Sequence, residues 1–194
     1  LSNADAMILG PGFGLAESTG VFVHYLIEAI PQKCPVLLDA DGLKLLRKKE
    51  NWWLELPENV ILTPHPGEMA VLTGMTIDEI QADRWTIASR YAQDWGVTLI
   101  LKGAVTVIAT QNGDVFVNPI SDSSLATAGS GDVLAGLIGG LLAQGLSNHE
   151  AAIAGVWLHT EAGLMASARL GTKVSITALD LLDDIPAAFQ AICH

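Results

Sequence analysis

The chain has 194 residues, 50% of them hydrophobic and 16% charged, with a formal net charge of −11 at pH 7. That length is most simply one domain with a sizeable core, and the acidic balance argues against non-specific nucleic-acid binding, which needs clustered Lys and Arg. No apolar run reaches the roughly 18 unbroken residues of a membrane span, and the opening LSNADAMILGPG has no basic n-region of a signal peptide. Cys34 and Cys193 show no motif spacing, so reduced thiols in a cytoplasmic protein are expected. The chain opens on Leu1 rather than Met, as a fragment or a processed chain would.

Residues 5–9 form a short apolar run that ends in Gly10-Pro11-Gly12-Phe13-Gly14, which reads as strand, glycine loop and then a helix over about 18–30. Residues 35–40 (PVLLDA) read as a buried parallel strand with Asp39 and Asp41 at its carboxyl end, the edge where open α/β sheets bind ligands. A helix over about 43–49 follows, then a strand at 59–63 running into Pro64-His65-Pro66-Gly67-Glu68. The segment 77–95 carries apolar residues at 77, 80, 85, 88, 91, 92 and 95, a helical spacing. Residues 97–102 (VTLILK) are a fourth strand. Strands at 105–110 and 115–117 flank Asn112-Gly113, a hairpin signal.

Next comes the stretch 126–145, ATAGSGDVLAGLIGGLLAQG, in which small residues lead to the single carboxylate of Asp132 and then to an apolar helix. A helix N-terminus offers unpaired N–H groups and a positive dipole end to an anion, so the backbone of Gly129, Ser130 and Gly131 reads as an anion hole. Gly136, Gly139 and Gly140 each weaken the helix by up to about 1 kcal/mol, and close packing against a sheet would compensate. Ser147 and Glu150 form a capping-box pattern ahead of a helix over about 150–169, and Thr177 with Asp180 opens a last helix. Strands alternating with helices give an α/β domain with a mostly parallel sheet and a helical C-terminal half.

Asp132 has the strongest chemical case. A carboxylate beside N–H groups that neutralise a moving phosphoryl group can take the proton of an attacking hydroxyl. Gly12 and Gly14 are backbone contacts for a ligand or a plain βα turn. His65, held between two prolines, reads as ligand-positioning. Glu68 either reaches a metal or metal-bound water or caps a helix. Lys102, finishing an apolar strand, needs a partner: a phosphate near the GSGD helix or a surface carboxylate. Lys102, Gly103, Ala104, Val105 and Thr106 can line a nucleotide through backbone and hydroxyl groups. His24, His149 and His159 show no metal spacing, and His159 reads as a helix-surface or core residue. Trp52-Trp53, and Trp85 with Trp95, read as packing or an oligomer contact.

The motifs GPGFG, DADGL, LTPHPGE, LKGAVTVI and ATAGSGDVLAGLIGGLLAQG, in that order, closely resemble the ADP/ATP-dependent NAD(P)H-hydrate dehydratase family of the ribokinase-like fold, from about residue 4 to 186. The resemblance implies repair of hydrated NADH or NADPH, NAD(P)HX. The terminal phosphoryl group of ADP or ATP goes to the C6 hydroxyl, and phosphate elimination restores the dihydronicotinamide. By the same resemblance Gly14, His65 and Asp132 contact the hydrated dinucleotide, Lys102–Thr106 and Gly131 contact the adenine nucleotide, Mg²⁺ accompanies it, and the protein assembles as a homo-oligomer, a tetramer. Two features depart from the family pattern. The strands and Gly-rich segment that precede the GPGxG loop are missing, as in an N-terminally truncated domain, and Ser121-Asp122-Ser123 replaces a Gly-Asn-Pro-like segment. A small-molecule kinase of the same fold, or a non-catalytic nucleotide-binding remnant, are the alternatives.

Overall fold

The computed structural model describes residues 3–192, so Cys193 lies outside the described residues. Six strands make one sheet in chain order, β1 (Met7–Leu9), β2 (Val36–Leu38), β3 (Val60–Leu62), β4 (Thr98–Leu101), β5 (Thr106–Ala109) and β6 (Val115–Asn118). Strands β1 to β4 run parallel, in register at Leu9, Leu38 and Leu62, while β4, β5 and β6 form an antiparallel meander. The β5–β6 turn closes at the predicted Asn112-Gly113, where the Thr110 N–H donates to the Asp114 carbonyl at 2.9 Å.

Strand alternation sorts the core into two layers. Val36, Leu38, Val60, Leu62, Leu99 and Leu101 pack with α1 (Glu17–Ala29), α2 (Asp41–Leu46), α3 (Pro66–Thr73), α4 (Ile77–Ala82) and α5 (Arg84–Trp95). Leu37, Ile61, Ile100 and Ile108 face the opposite layer of α6 (Ser130–Ala143), α7 (Asn148–Leu170) and α8 (Ala178–Ile192). Because helices cover both faces, the central strands read as unbroken apolar runs rather than alternating ones. Among the described residues no helix is long and apolar enough to cross a membrane.

Three expectations change in detail. The helical run 77–95 is two helices, broken at Asp83 (φ −146°, ψ 66°), whose carboxylate accepts from the Thr86 N–H at 3.2 Å and so starts α5; Asp favours such a cap over a helix interior. Of Gly136, Gly139 and Gly140, only Gly139 meets the sheet: a Cβ there would lie 2.4 Å from Ile8 Cδ1. Gly136 and Gly140 have nothing within 4 Å and line an open, mainly apolar groove of about 580 Å³ between α6 and α8. Trp95 is buried against Trp52 and Tyr91, with ring centroids 4.9 and 4.7 Å away, while Trp85 stays half exposed, apart from them.

Candidate active site

The parallel strands β1 to β4 deliver their carboxyl ends to one edge of the sheet, and four of the sequence motifs start there. The β3 and β4 exits are tied together, since the Lys102 N–H donates to the Pro64 carbonyl at 2.9 Å. Lys102 Nζ then reaches Asp39 Oδ1, just past β2, at 2.7 Å. Asp39 is only 2% exposed, so the lysine's partner is a buried carboxylate rather than a surface one. Glu68 Oε2 lies 4.0 Å from the same ammonium, which therefore sits between two buried carboxylates. Removing one partner of such a buried pair is costly, because the other is left uncompensated away from water.

His65 and Glu68 form a capping box at the start of α3. His65 Nδ1 accepts from the backbone N–H groups of Gly67 and Glu68 at 3.0 and 3.2 Å, and Glu68 Oε2 accepts from the His65 N–H at 2.9 Å. With Nδ1 accepting, the ring proton sits on Nε2, 3.4 Å from Glu68 Oε1. Of the two roles open to Glu68 in the sequence, the helix cap is the one the geometry displays. The imidazole remains largely exposed at the sheet edge.

The GSGD turn enters α6 through Gly129, left-handed at φ 84°. A Cβ on Gly131 would lie 3.6 Å from Lys102 Nζ and 3.7 Å from Asp39 Oδ2, so the first turn of α6 abuts the ion pair. Helix N–H groups, dipole and lysine converge there, a ready anion site. Asp132 occupies the next position, exposed, with no hydrogen bond or ion pair among the described residues. Beneath the turn, His159 of α7 is 7% exposed, and its Nε2 stands 2.9 Å from both the Ser130 carbonyl and Ser130 Oγ. A carbonyl only accepts, so Nε2 carries the proton. Burial, and to a smaller degree the Lys102 charge, press the His159 pKa down to about 4 against the opposing Ser130 bond, which leaves the imidazole neutral.

On the β1 side, Gly10 takes φ 125°, and a Cβ there would overlap the Asp39 carbonyl at 1.8 Å, so only glycine lets the two loops meet. The Gly14 N–H donates to Asp41 Oδ2 at 3.0 Å, whereas Gly12 has open space around its α-carbon. Ala40, between Asp39 and Asp41, adopts φ 51°, ψ −120°, a region that disfavours any side chain.

A cavity of about 670 Å³ gathers His65, Lys102, Gly103, Ala104, Thr106, Ser130 and Gly131 of the predicted residues. Gly129 and Asp132 face the α6–α8 groove instead. Val105 lies on the far side of its loop, in a cavity of about 430 Å³ shared with Arg84 and Trp85. Gly12 and Gly14 line neither space. Sequence reasoning passed over Arg84, and it read His159 as a helix-surface or core residue without its Ser130 contact. Arg84 sits inside a helical repeat and carries no motif, and His159 touches a residue 29 positions away. Asp39 had a signal in its strand-end position, though not its partner. Asp122, in the departing loop, pairs with Lys173 at 2.7 Å.

A sequence profile described as NAD(P)H-hydrate dehydratase matches residues 1–187. The chain is 42% identical, over 186 residues, to the bifunctional NAD(P)H-hydrate repair enzyme Nnr of Moorella thermoacetica, covering 96% of this chain and 34% of that protein. It thus spans about a third of that relative's length. Its backbone matches the ADP/ATP-dependent NAD(P)H-hydrate dehydratase of Bacillus subtilis, co-crystallised with ATP/Mg²⁺ and soaked with CoA, at TM-score 0.83 and 32% identity, over 98% of this chain and 68% of that one. A ribokinase-like superfamily protein of Enterococcus faecalis matches at TM-score 0.82 and 25% identity, over 97% and 63% of the two chains. The sheet-edge lysine, the GSGD turn and these matches agree: the fold is ribokinase-like, and the chain belongs to the NAD(P)H-hydrate dehydratase family.

Proposed function

We propose that this protein restores hydrated NADH or NADPH to the dihydronicotinamide form, with ADP or ATP as phosphoryl donor. The observation that carries the reading is Asp132, a carboxylate without a partner among the described residues, one residue beyond a helix turn that also abuts Lys102. Asp132 takes the proton of the C6 hydroxyl as its oxygen attacks the terminal phosphorus; the nucleotide leaves with one phosphate fewer, carrying the electron pair of the broken P–O bond. The C6–O bond then breaks with its electrons leaving on phosphate, a proton is lost from C5, and the C5=C6 double bond returns. The Gly129–Gly131 turn and Lys102 neutralise charge on the moving phosphoryl group throughout. Gly103, Ala104 and Thr106, with Val105 behind them, border the nucleotide, and His65, Gly12 and Gly14 border the dinucleotide.

Among the described residues no group of three or more His, Cys, Asp or Glu side chains forms a metal cage. Mg²⁺ fits nonetheless, because it is commonly held by substrate phosphates, waters and one or two carboxylates. Asp39 and Glu68, on either side of Lys102 Nζ, would hold it through water, and it would neutralise phosphate charge. A cytoplasmic location and a homo-oligomer, a tetramer by the family likeness, belong to the same proposal, with the chain acting as a single ribokinase-like domain.

The rival is a kinase of the same fold acting on a small alcohol, and product analysis separates the two. Hydrated NADH with ADP or ATP should yield NADH and free phosphate in equal amounts, and a panel of sugars and vitamin alcohols should yield no phosphorylated product. A stable phosphate ester from any panel member, with no NADH formed, would overturn the proposal.

A further inference from the structure

We infer that Arg84 is a positioning residue for the nucleotide loop, its guanidinium holding the 101–105 backbone so that the Gly103 N–H is presented to the nucleotide's phosphates. The inference rests on the proposed reading of that loop as the nucleotide site. Arg84 opens α5, seventeen residues or more from the carbonyls it meets, and Nη2 lies 2.8 Å from the Leu101 carbonyl, 3.2 Å from that of Lys102 and 2.9 Å from that of Val105. Nη1 donates to Gln81 Oε1 at 2.6 Å, which fixes the plane of the fork. The two N–H donors of Nη2 are thus shared among three carbonyls of one turn, at the far end of a side chain whose planar fork is pre-organised.

The consequence follows from peptide planarity. In a trans peptide unit the C=O and N–H point in opposite directions. With the Lys102 carbonyl turned to Arg84, the Gly103 N–H must turn away from it. That N–H makes no hydrogen bond among the described residues, whereas the preceding Lys102 N–H is spent on Pro64. Gly103 lines the 670 Å³ cavity but not the 430 Å³ space that holds Arg84, so the loop is a wall with the arginine behind it. The glycine itself is explained by the same contact. A Cβ at 103 would stand 2.8 Å from Nη2 and 3.0 Å from Cζ, because the guanidinium occupies the place of a side chain.

A purely structural clamp and a positioning clamp differ in what they change. The test compares the full chain with its Arg84→Ala and Arg84→Lys variants. It follows NADH regeneration while nucleotide and hydrated NADH are varied in turn, with calorimetric ADP and ATP binding and thermal melting alongside. Arg84→Ala should raise the nucleotide KM by about tenfold to a hundredfold and leave the KM for hydrated NADH within about twofold. Guanidinium ion at a non-denaturing concentration should restore nucleotide affinity, and Arg84→Lys, whose ammonium cannot reach three carbonyls, should fall between. If Arg84→Ala does not fold, the same KM split in Arg84→Lys decides the matter. Equal rises in both KM values, or a lowered melting point with no nucleotide-selective change and no rescue, would overturn the inference alone. Absence of ADP and ATP binding by the wild type would overturn the nucleotide reading, and the inference with it.

Discussion

Acidification offers a direct probe of the contact beneath the GSGD turn. His159 keeps its proton on Nε2 for the Ser130 carbonyl, and burial drives its pKa from 6.5 to about 4. In the unfolded chain the same imidazole binds a second proton at its ordinary value. Unfolding therefore takes up a proton between these two values, so the stabilisation is complete above the upper one and drains away as pH falls toward the lower. The gap in proton affinity corresponds to roughly 3 kcal/mol in all, of which roughly 2 kcal/mol is lost by about pH 5. Urea unfolding of the wild type and of His159→Gln near neutral pH and near pH 5 reads this out. Glutamine keeps an N–H donor for Ser130 and does not titrate, while the carboxylates are common to both proteins. The wild type should lose about 2 kcal/mol more than the variant over that interval. Equal losses would refute the assignment of a neutral, buried His159.

Two further changes probe the sheet edge. Lys102→Met strands the buried Asp39 carboxylate and should cost about 3 kcal/mol in a thermal or denaturant melt; adding Asp39→Asn should recover part of it, and an undiminished loss in the double variant would contradict the pairing. Ala40→Gly releases a backbone held at φ 51°, ψ −120°. Strain of about 1–3 kcal/mol outweighs the 0.4–1 kcal/mol of extra chain entropy that glycine adds to the unfolded state. A melting-point rise worth about 1 kcal/mol is expected, and a fall would count against strain at this residue.

Strands β2 to β4 were legible because helices cover both sheet faces there, which makes each an apolar run bounded by Gly, Pro or a charge, while the exposed β6 was legible through the Asn112-Gly113 hairpin signal. The capping pairs at Ser147 with Glu150 and Thr177 with Asp180 were legible because their bonds span three residues, at 3.0 and 2.8 Å to the backbone N–H. What stayed hidden depends on long-range partners or on which helix face turns inward. Apolar periodicity continues across Asp83, so the break there surfaces only through a local cap. Gly136 and Gly140 share one helix face and Gly139 another, and nothing in the sequence says that the latter meets Ile8. Glu68 carried two readings, and the helix cap among them shows only in its hydrogen bond from the His65 N–H. Arg84 and His159 act on backbone atoms far along the chain, and backbone targets leave no residue signature.

The central claim is that Asp132 is the base of a nucleotide-dependent dehydration. The measurement is recovery of NADH absorbance from hydrated NADH, with ADP or ATP and Mg²⁺, by the wild type and by Asp132→Asn. Recovery by the wild type with a loss of about a hundredfold or more in the variant, nucleotide binding being retained, is the predicted result. Equal recovery rates in the two proteins would contradict it.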